Sequence, residues 1–148
     1  MDRHEVTNQD YARCEKAKAC PRRMGLPAGY RAFMTSQQPA VPITWNMAHA
    51  YCVWAGKRLA TEAEWEKVAR SATEGRTYPW GEDPPTCARA NFKGCAPAVT
   101  RDVESFPAGP FGVFEMAGNG FEWVHDWASN CYDGCSLSCG AQCQGSDP

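Results

Sequence analysis

The stretch Phe111–Trp127, FGVFEMAGNGFEWVHDW, decides how this chain folds. At its centre, Gly118-Asn119-Gly120 separates an apolar run from a tryptophan-rich run, and glycine lets a backbone turn sharply and approach a neighbour closely. Glu122 lies between Phe121 and Trp123, where a charge needs a partner. Glycine carbonyls beside a buried carboxylate suit a hard cation such as calcium. The alternative is a tight turn between two strands, in which Glu122 accepts hydrogen bonds from backbone amides.

Length, charge and composition indicate one loop-rich domain. The 148 residues are enough for a single hydrophobic core. The net charge is −2, with basic and acidic residues interspersed, so the sequence shows no footprint for nucleic acid or for a membrane surface. It contains no apolar run of membrane-spanning length. The 11 prolines and 13 glycines predict short elements joined by many turns.

The nine cysteines are grouped in a way that predicts disulfides. Local pairs in loop-like sequence (Cys14 with Cys20, Cys87 with Cys95) favour an oxidising compartment. The last four cysteines recur at every fourth position and would share one face of a helix, as in a zinc or iron–sulfur site. Glycine, serine, asparagine and aspartate between them disfavour a helix, so disulfides are the prediction and their three pairings stay open. These four are Cys131, Cys135, Cys139 and Cys143.

Disulfides imply export, and export normally needs a targeting segment. The chain begins Met1-Asp2-Arg3-His4-Glu5, without the apolar core of a signal peptide. We therefore expect the natural protein to be exported, periplasmic or extracellular, and to begin upstream of Met1.

Capping residues predict three helices. The first starts after Thr7, the second runs from Thr44 to a stop at Gly56, and the third starts at Thr61 with a capping box to Glu64. Their apolar stripes are Tyr11, Cys14 and Ala17; Ala48, Tyr51, Cys52 and Ala55; and Trp65, Val68 and Ala69.

The rest of the chain is predicted to be loops and two strands. Residues 21–42 and 72–110 are rich in turn residues, whereas Gly112–Met116 and Phe121–Trp127 have the composition of strands. His125 and Asp126 are adjacent, so on a strand they would face opposite ways and would not form one acid–base pair. The tail 129–148 has little apolar content and depends on its cysteines.

An ordered series of motifs resembles the sulfatase-modifying-factor family, whose namesake is the formylglycine-generating enzyme. The resemblance covers residues 1–128, and its most specific block is WAGKRLATEAEWE, Trp54–Glu66. The motifs are MDRHEVTNQDYARC (Met1–Cys14), PITWNMAHAYCVWAGKRLATEAEWEKVAR (Pro42–Arg70), YPWG (Tyr78–Gly81), RAN (Arg89–Asn91), SFPAGPFG (Ser105–Gly112) and MAGNGFEWVHDW (Met116–Trp127).

The resemblance implies an α+β, loop-rich fold related to the C-type lectin fold, with two structural calcium ions. The family enzyme oxidises a cysteine of an unfolded sulfatase to formylglycine with molecular oxygen, using copper(I) held by two soft thiolates. Those thiolates follow an arginine–glycine–glycine–serine–tryptophan-like strand in the C-terminal third of the family domain. The sequence to Pro148 does not contain that strand. Residues 1–128 would therefore be a partial domain, and residues 129–148 a cysteine-rich loop of the same domain.

Carried over position by position, the resemblance implies two calcium sites. One would use Glu115, Gly118, Gly120 and Glu122, the glycines through their carbonyl oxygens. The other would use Asn91 and the carbonyl of Phe92; Asp102 lies nearby, but no carboxylate aligns with the family's acidic ligand. Cys52 matches a position that forms a disulfide with a C-terminal cysteine in the family enzyme, and it could equally be a small buried apolar side chain.

Two functions follow from these observations. The chain belongs either to an exported enzyme that generates formylglycine in an unfolded sulfatase or another protein, or to a non-catalytic exported module that binds a ligand or a protein. In the first case we expect residues 1–148 alone to have no oxidase activity.

Overall fold

The computed structural model describes residues 1–23, 27–71 and 75–128. These residues form three short α-helices, one 3₁₀ helix and long loops. The bounds are α1 Asn8–Lys16, the 3₁₀ helix Ala28–Phe33, α2 Trp45–Trp54 and α3 Glu62–Ala69. In the described part, no helix is long and apolar enough to cross a membrane.

The three predicted helix starts are confirmed, because each cap satisfies a free backbone amide. The Thr7 side chain accepts a hydrogen bond from the Asp10 amide at 3.1 Å. Thr44 caps α2 in the same way. Thr61 and Glu64 form the full capping box, and the Glu64 carboxylate also pairs with Arg58 at 2.7 Å. These local signals need no tertiary contact, which is why the sequence alone locates them.

The core lies between α1 and α2. Tyr11 and Cys14 are fully buried, and Tyr11 stacks on Tyr51 of α2 with ring centroids 6.0 Å apart. The Cys14–Cys20 disulfide joins α1 to the loop that follows it. Val6 of the N-terminal segment, residues 1–7, packs against this cluster, and Glu5 of the same segment accepts a hydrogen bond from Asn119 in the glycine turn.

The predicted cysteine pattern is confirmed for the five cysteines among the described residues. Cys14–Cys20 and Cys87–Cys95 are disulfides, and Cys52 is a free, half-buried thiol. Cys131, Cys135, Cys139 and Cys143 lie outside the described residues.

The two strand predictions are wrong for the described residues, which contain isolated bridges at Thr7–Pro39 and Tyr78–Gly81 and no strand. Left-handed backbone at Gly112 (φ 71°) and Glu115 (φ 51°) interrupts the first segment. Residues 121–124 have no regular secondary structure, and none of their backbone groups bonds to the backbone of another described residue. These segments have the composition of strands, but a strand forms only when its backbone pairs with a second strand. The 3₁₀ helix at Ala28–Phe33 was also missed, inside a stretch predicted to be a loop.

Candidate functional site

The turn at residues 118–120 is wedged against the backbone of Asn91. The amide of Asn119 donates to the carbonyl oxygen of Asn91 at 2.7 Å. Gly118 has φ 83°, and a β-carbon at this position would lie 3.0 Å from the Asn91 carbonyl carbon and closer still to its oxygen. Glycine is therefore required at position 118 both for its left-handed backbone and for this close approach.

The side chain of Asn119 joins three distant segments. Its oxygen accepts from the Arg101 amide at 2.8 Å and from the Asn91 side chain at 3.3 Å. Its nitrogen donates to the Glu5 carboxylate at 2.6 Å and to the Arg101 carbonyl at 3.3 Å. The side-chain amide of Asn119 thus holds together the N-terminal segment, the loop 91–101 and the turn.

Glu5 is the residue of this site that sequence reasoning missed. One carboxylate oxygen bonds Asn119, while the other is buried without a hydrogen-bond partner in the described structure. Burial raises the Glu5 pKa to about 8, the Asn119 bond opposes this, and the charges of Glu122 and Glu115 add to it. The available signal was the family-like EVTN motif, but nothing local places Glu5 beside a turn more than a hundred residues away.

Glu115 and Glu122 are the other two carboxylates of the cluster. Glu115 is buried and accepts from the amides of Glu104 at 3.0 Å and Phe106 at 3.3 Å, so its side chain holds the preceding loop. Glu122 is exposed as a whole residue, yet its carboxylate lies against the protein, and desolvation raises its pKa. The nearby Trp65 indole N–H opposes this shift in pKa, although it has no hydrogen-bond partner among the described residues.

The predicted first calcium site is compatible with these contacts. Burial raises the pKa of both Glu5 and Glu122; the charges of Glu122 and Glu115 raise that of Glu5 further, and the charge of Glu115 raises that of Glu122. A divalent cation coordinated by carboxylate and carbonyl oxygens would offset that charge. Within the described ranges no three acidic, histidine or cysteine side chains form a metal cluster, so such a site would depend on the carbonyls of Gly118 and Gly120 with Glu122. The Gly118 carbonyl also accepts the Gly120 amide at 2.9 Å.

The residues predicted for the second calcium site have other partners. The Asn91 side chain donates to the Val99 carbonyl at 2.9 Å, and the Phe92 carbonyl accepts the Cys95 amide at 3.0 Å. Asp102 accepts a hydrogen bond from Thr35 at 3.1 Å on the surface. This site stays a prediction.

The described residues do not fit a copper(I) site. Four of their five cysteines are in disulfides, which leaves Cys52, and burial raises the pKa of its thiol. A single protonated thiol does not supply the two thiolates that the family chemistry requires.

His125 and Asp126 have separate structural contacts, as their adjacency predicted. Asp126 accepts from the Glu62 amide at the N-terminus of α3 at 2.6 Å. The His125 amide donates to the Ala60 carbonyl at 2.8 Å, and its ring lies against Trp45.

Beside the carboxylates lies an open apolar cleft of about 1600 Å³. Its walls come from the first turns of α2 and α3, the loop 91–100 and residues 118–128. The aromatic side chains that line it are Phe33, Phe92, Trp45, Trp65, Phe121, Trp123 and Trp127.

Glu5 predicts a pH dependence of stability in the absence of divalent cations. Its folded-state pKa of about 8 exceeds the ordinary value of 4.5, so its contribution to stability is complete below pH 4.5 and is lost as pH rises through 8. We expect Glu5→Gln, which stays neutral, to be more stable than the unmodified chain at pH 8.5 by more than about 1 kcal/mol, with a smaller difference at pH 5.

Urea unfolding in chelator between pH 5 and pH 8.5 measures this effect. The control is Glu104→Gln, an exposed carboxylate that pairs with Arg3 at 3.2 Å. If the unfolding free energies of the Glu5→Gln variant and of the unmodified chain changed equally with pH, the buried Glu5 carboxyl would not be the source of the pH dependence.

The sequence and the fold are similar to proteins of one family. The family described as "Sulfatase-modifying factor enzyme 1-like domain" matches residues 1–145. A formylglycine-generating enzyme of Streptomyces coelicolor is 41% identical over 120 residues, which cover 72% of this chain and 38% of that protein. The serine/threonine-protein kinase pkn1 of Chlamydia pneumoniae is 42% identical over 105 residues, covering 71% of this chain and 16% of that protein.

A solved structure shares the fold. PvdO from Pseudomonas aeruginosa superposes with a TM-score of 0.69 at 31% identity, covering 85% of this chain and 56% of that one. The chain therefore spans about half of PvdO and less than two-fifths of the curated relatives described above.

Proposed function

Since the chain belongs to the family of sulfatase-modifying factor enzyme 1-like domains, we propose that it forms the scaffold part of an exported formylglycine-generating domain. The observation that carries this proposal is the family match over residues 1–145, together with 41% identity to a formylglycine-generating enzyme. Two disulfides support export. The relation to the C-type lectin fold and the boundary at residue 128 belong to the same proposal.

In this proposal the described residues hold the fold in place and take no part in the chemical reaction. Asn119 and Gly118 hold the turn against the loop 91–101. Glu122 with the glycine carbonyls would bind calcium, which would fix the same turn by neutralising buried carboxylates. The oxidised cysteine would be in an unfolded sulfatase or another protein, and the copper thiolates would come from polypeptide other than residues 1–128.

An aldehyde assay tests the enzymatic proposal. The complete gene product that contains residues 1–148, supplied with copper and oxygen, should convert the cysteine of a sulfatase-derived peptide to an aldehyde that reacts with a hydroxylamine probe. Residues 1–148 alone should yield none. Conversion by residues 1–148 would refute the scaffold role, and a copper-loaded complete product without activity would refute the enzyme.

The second candidate is a non-catalytic exported module that binds a ligand or a protein. It is favoured by one observation: the same region matches a protein named as a kinase as closely as it matches a formylglycine-generating enzyme. An inactive complete product that lacks two further cysteines would support this candidate.

Calcium binding gives a separate prediction. If 1 mM calcium is about 100 times the Kd, it stabilises the folded state by about 2.7 kcal/mol, which raises the Tm of a chain of this size by roughly 5–10 °C. Glu122→Gln should remove most of that shift, because it removes the charged ligand.

Differential scanning fluorimetry in chelator and in calcium measures this shift. The control is Glu66→Gln on α3, an exposed carboxylate 2.9 Å from Arg70, which should keep the full response. Equal melting temperatures with and without calcium in the unmodified chain would remove the calcium proposal.

A further inference from the structure

The glycine turn contains an asparagine–glycine pair, Asn119-Gly120, and none of the other asparagines of the sequence precedes a glycine. In such a pair the glycine amide nitrogen can attack the side-chain carbonyl carbon of asparagine, because glycine has no β-carbon to obstruct the approach. A five-membered succinimide ring forms and ammonia leaves, and water then opens the ring to aspartate or isoaspartate. The reaction consumes water alone and needs no cofactor and no second protein.

The fold restrains both reacting groups. The Gly120 amide nitrogen, which is the nucleophile, donates its hydrogen to the Gly118 carbonyl at 2.9 Å. The Asn119 side chain, which carries the carbon to be attacked, is held by the Arg101 amide at 2.8 Å and by the Glu5 carboxylate at 2.6 Å. Ring closure expels the same side-chain nitrogen that donates to Glu5, so that bond must break before the ring can form.

The product does not fit the place that Asn119 occupies. The side chain of aspartate or isoaspartate is a carboxylate without an N–H, so it cannot donate to the Glu5 carboxylate or to the Arg101 carbonyl. Two acceptor oxygens would then face each other where the Glu5 bond now lies, which is costly in a buried position. Isoaspartate also adds a methylene group to the backbone of the turn, which packs closely on Asn91.

We propose that Asn119-Gly120 is a self-modification site that the native fold keeps closed. The pair persists while the turn is packed against Asn91 and held by Glu5. When the turn separates from these partners the succinimide forms, and its product prevents the turn from packing again. Unfolding thereby becomes irreversible at a rate that a single dipeptide sets. Neither the family's chemistry nor calcium binding is required.

Mass spectrometry of residues 1–148 held at pH 8.5, in buffer and in guanidinium chloride, measures the conversion of Asn119 to the acid, and fragmentation identifies isoaspartate. In buffer we expect conversion at least about 100-fold slower than in denaturant, because it waits for the turn to open. In denaturant, Asn119 should convert at least about 10-fold faster than the internal references Asn8 and Asn46, because their following residues carry a β-carbon.

Two glycine variants give the matched control in buffer. Gly118→Ala and Gly112→Ala both add a methyl group at left-handed backbone, but the first alone meets the backbone of Asn91. Gly118→Ala should convert at Asn119 about as fast as the unmodified chain does in denaturant, whereas Gly112→Ala should stay at least about 10-fold slower.

A third variant identifies the nucleophile. In guanidinium chloride, where folding plays no part, Gly120→Ala should slow the conversion of Asn119 at least about 10-fold, because its β-carbon obstructs the attacking nitrogen.

Asn119→Asp tests the consequence of the modification. In urea unfolding at pH 8.5 it should lose at least as much stability as Asn119→Ala, because it places an acceptor opposite Glu5 in addition to removing the donor.

Three results would overturn the proposal. The first is equal conversion of Asn119 in buffer and in denaturant, and the second is conversion in denaturant no faster than that of Asn8 and Asn46. The third is an Asn119→Asp chain as stable as the unmodified chain.

Discussion

Gly118→Ala is expected to prevent residues 1–148 from reaching the native fold. The added β-carbon would overlap the backbone carbonyl of Asn91, which cannot rotate away as a side chain can. That carbonyl also accepts the Asn119 amide at 2.7 Å, so moving it breaks the contact that joins the turn to the loop 91–101. We expect a loss of more than about 4 kcal/mol, the range in which a single substitution unfolds a marginally stable domain.

Gly112→Ala separates the steric clash from the backbone effect. Gly112 has φ 71°, close to the 83° of Gly118, but no atom lies within 4 Å of its would-be β-carbon. Its substitution should cost about 1–2 kcal/mol, the penalty of a left-handed backbone alone. Urea unfolding followed by far-UV circular dichroism measures both variants. Similar losses of stability in Gly118→Ala and Gly112→Ala would show that the clash with Asn91 does not cause the destabilisation of Gly118→Ala.

Asn119→Ala is expected to cost about 3 kcal/mol or more. The change removes four hydrogen bonds and leaves the Arg101 amide and the buried Glu5 carboxylate without this partner. Each buried polar group that loses its partner costs about 1–3 kcal/mol. Because the Asn119 bond lowers the Glu5 pKa, its loss should also raise that pKa further and extend the pH-dependent loss of stability to higher pH.

Two variants sharpen this experiment. Asn119→Gly also loses the side-chain bonds but relieves the left-handed backbone, φ 64°, so it should be less destabilised than Asn119→Ala. Asn46→Ala, at an exposed position of α2, should change the urea midpoint little. A small effect of Asn119→Ala at both pH 5 and pH 8.5 would contradict the role of Asn119 as the link between three segments.

Helices and strands differ in how far they could be predicted. The helix caps at Thr7, Thr44 and Thr61 were predictable because a cap is satisfied within a few residues of itself. The strand predictions at Gly112–Met116 and Phe121–Trp127 failed in the described chain because a strand is completed by a partner, and composition does not reveal whether the partner is present. The Phe121–Val124 segment has the composition of a strand but no regular secondary structure.

The residues of the candidate site also differ in how far they could be predicted. Glu122 and the glycine turn stood out because a carboxylate between aromatic residues and a Gly-Asn-Gly sequence are unusual within one short window. Glu5 did not, because nothing in its neighbourhood differs from that of a surface glutamate. Its raised pKa arises from burial and from two carboxylates more than a hundred residues away along the chain.

Three features could be read from the amino-acid sequence: the helix starts, the two local disulfides and the family resemblance of Phe111–Trp127. These features are encoded in short windows, where a cap, a cysteine pair or a motif is satisfied by its own neighbours. Three other features become visible only in the folded chain: the glycine turn packs against Asn91, Glu5 joins the carboxylates, and the segment after the turn lines an open aromatic cleft. The reason is physical: burial, electrostatic coupling and strand pairing depend on which distant segments meet, and that is set by packing of the whole chain.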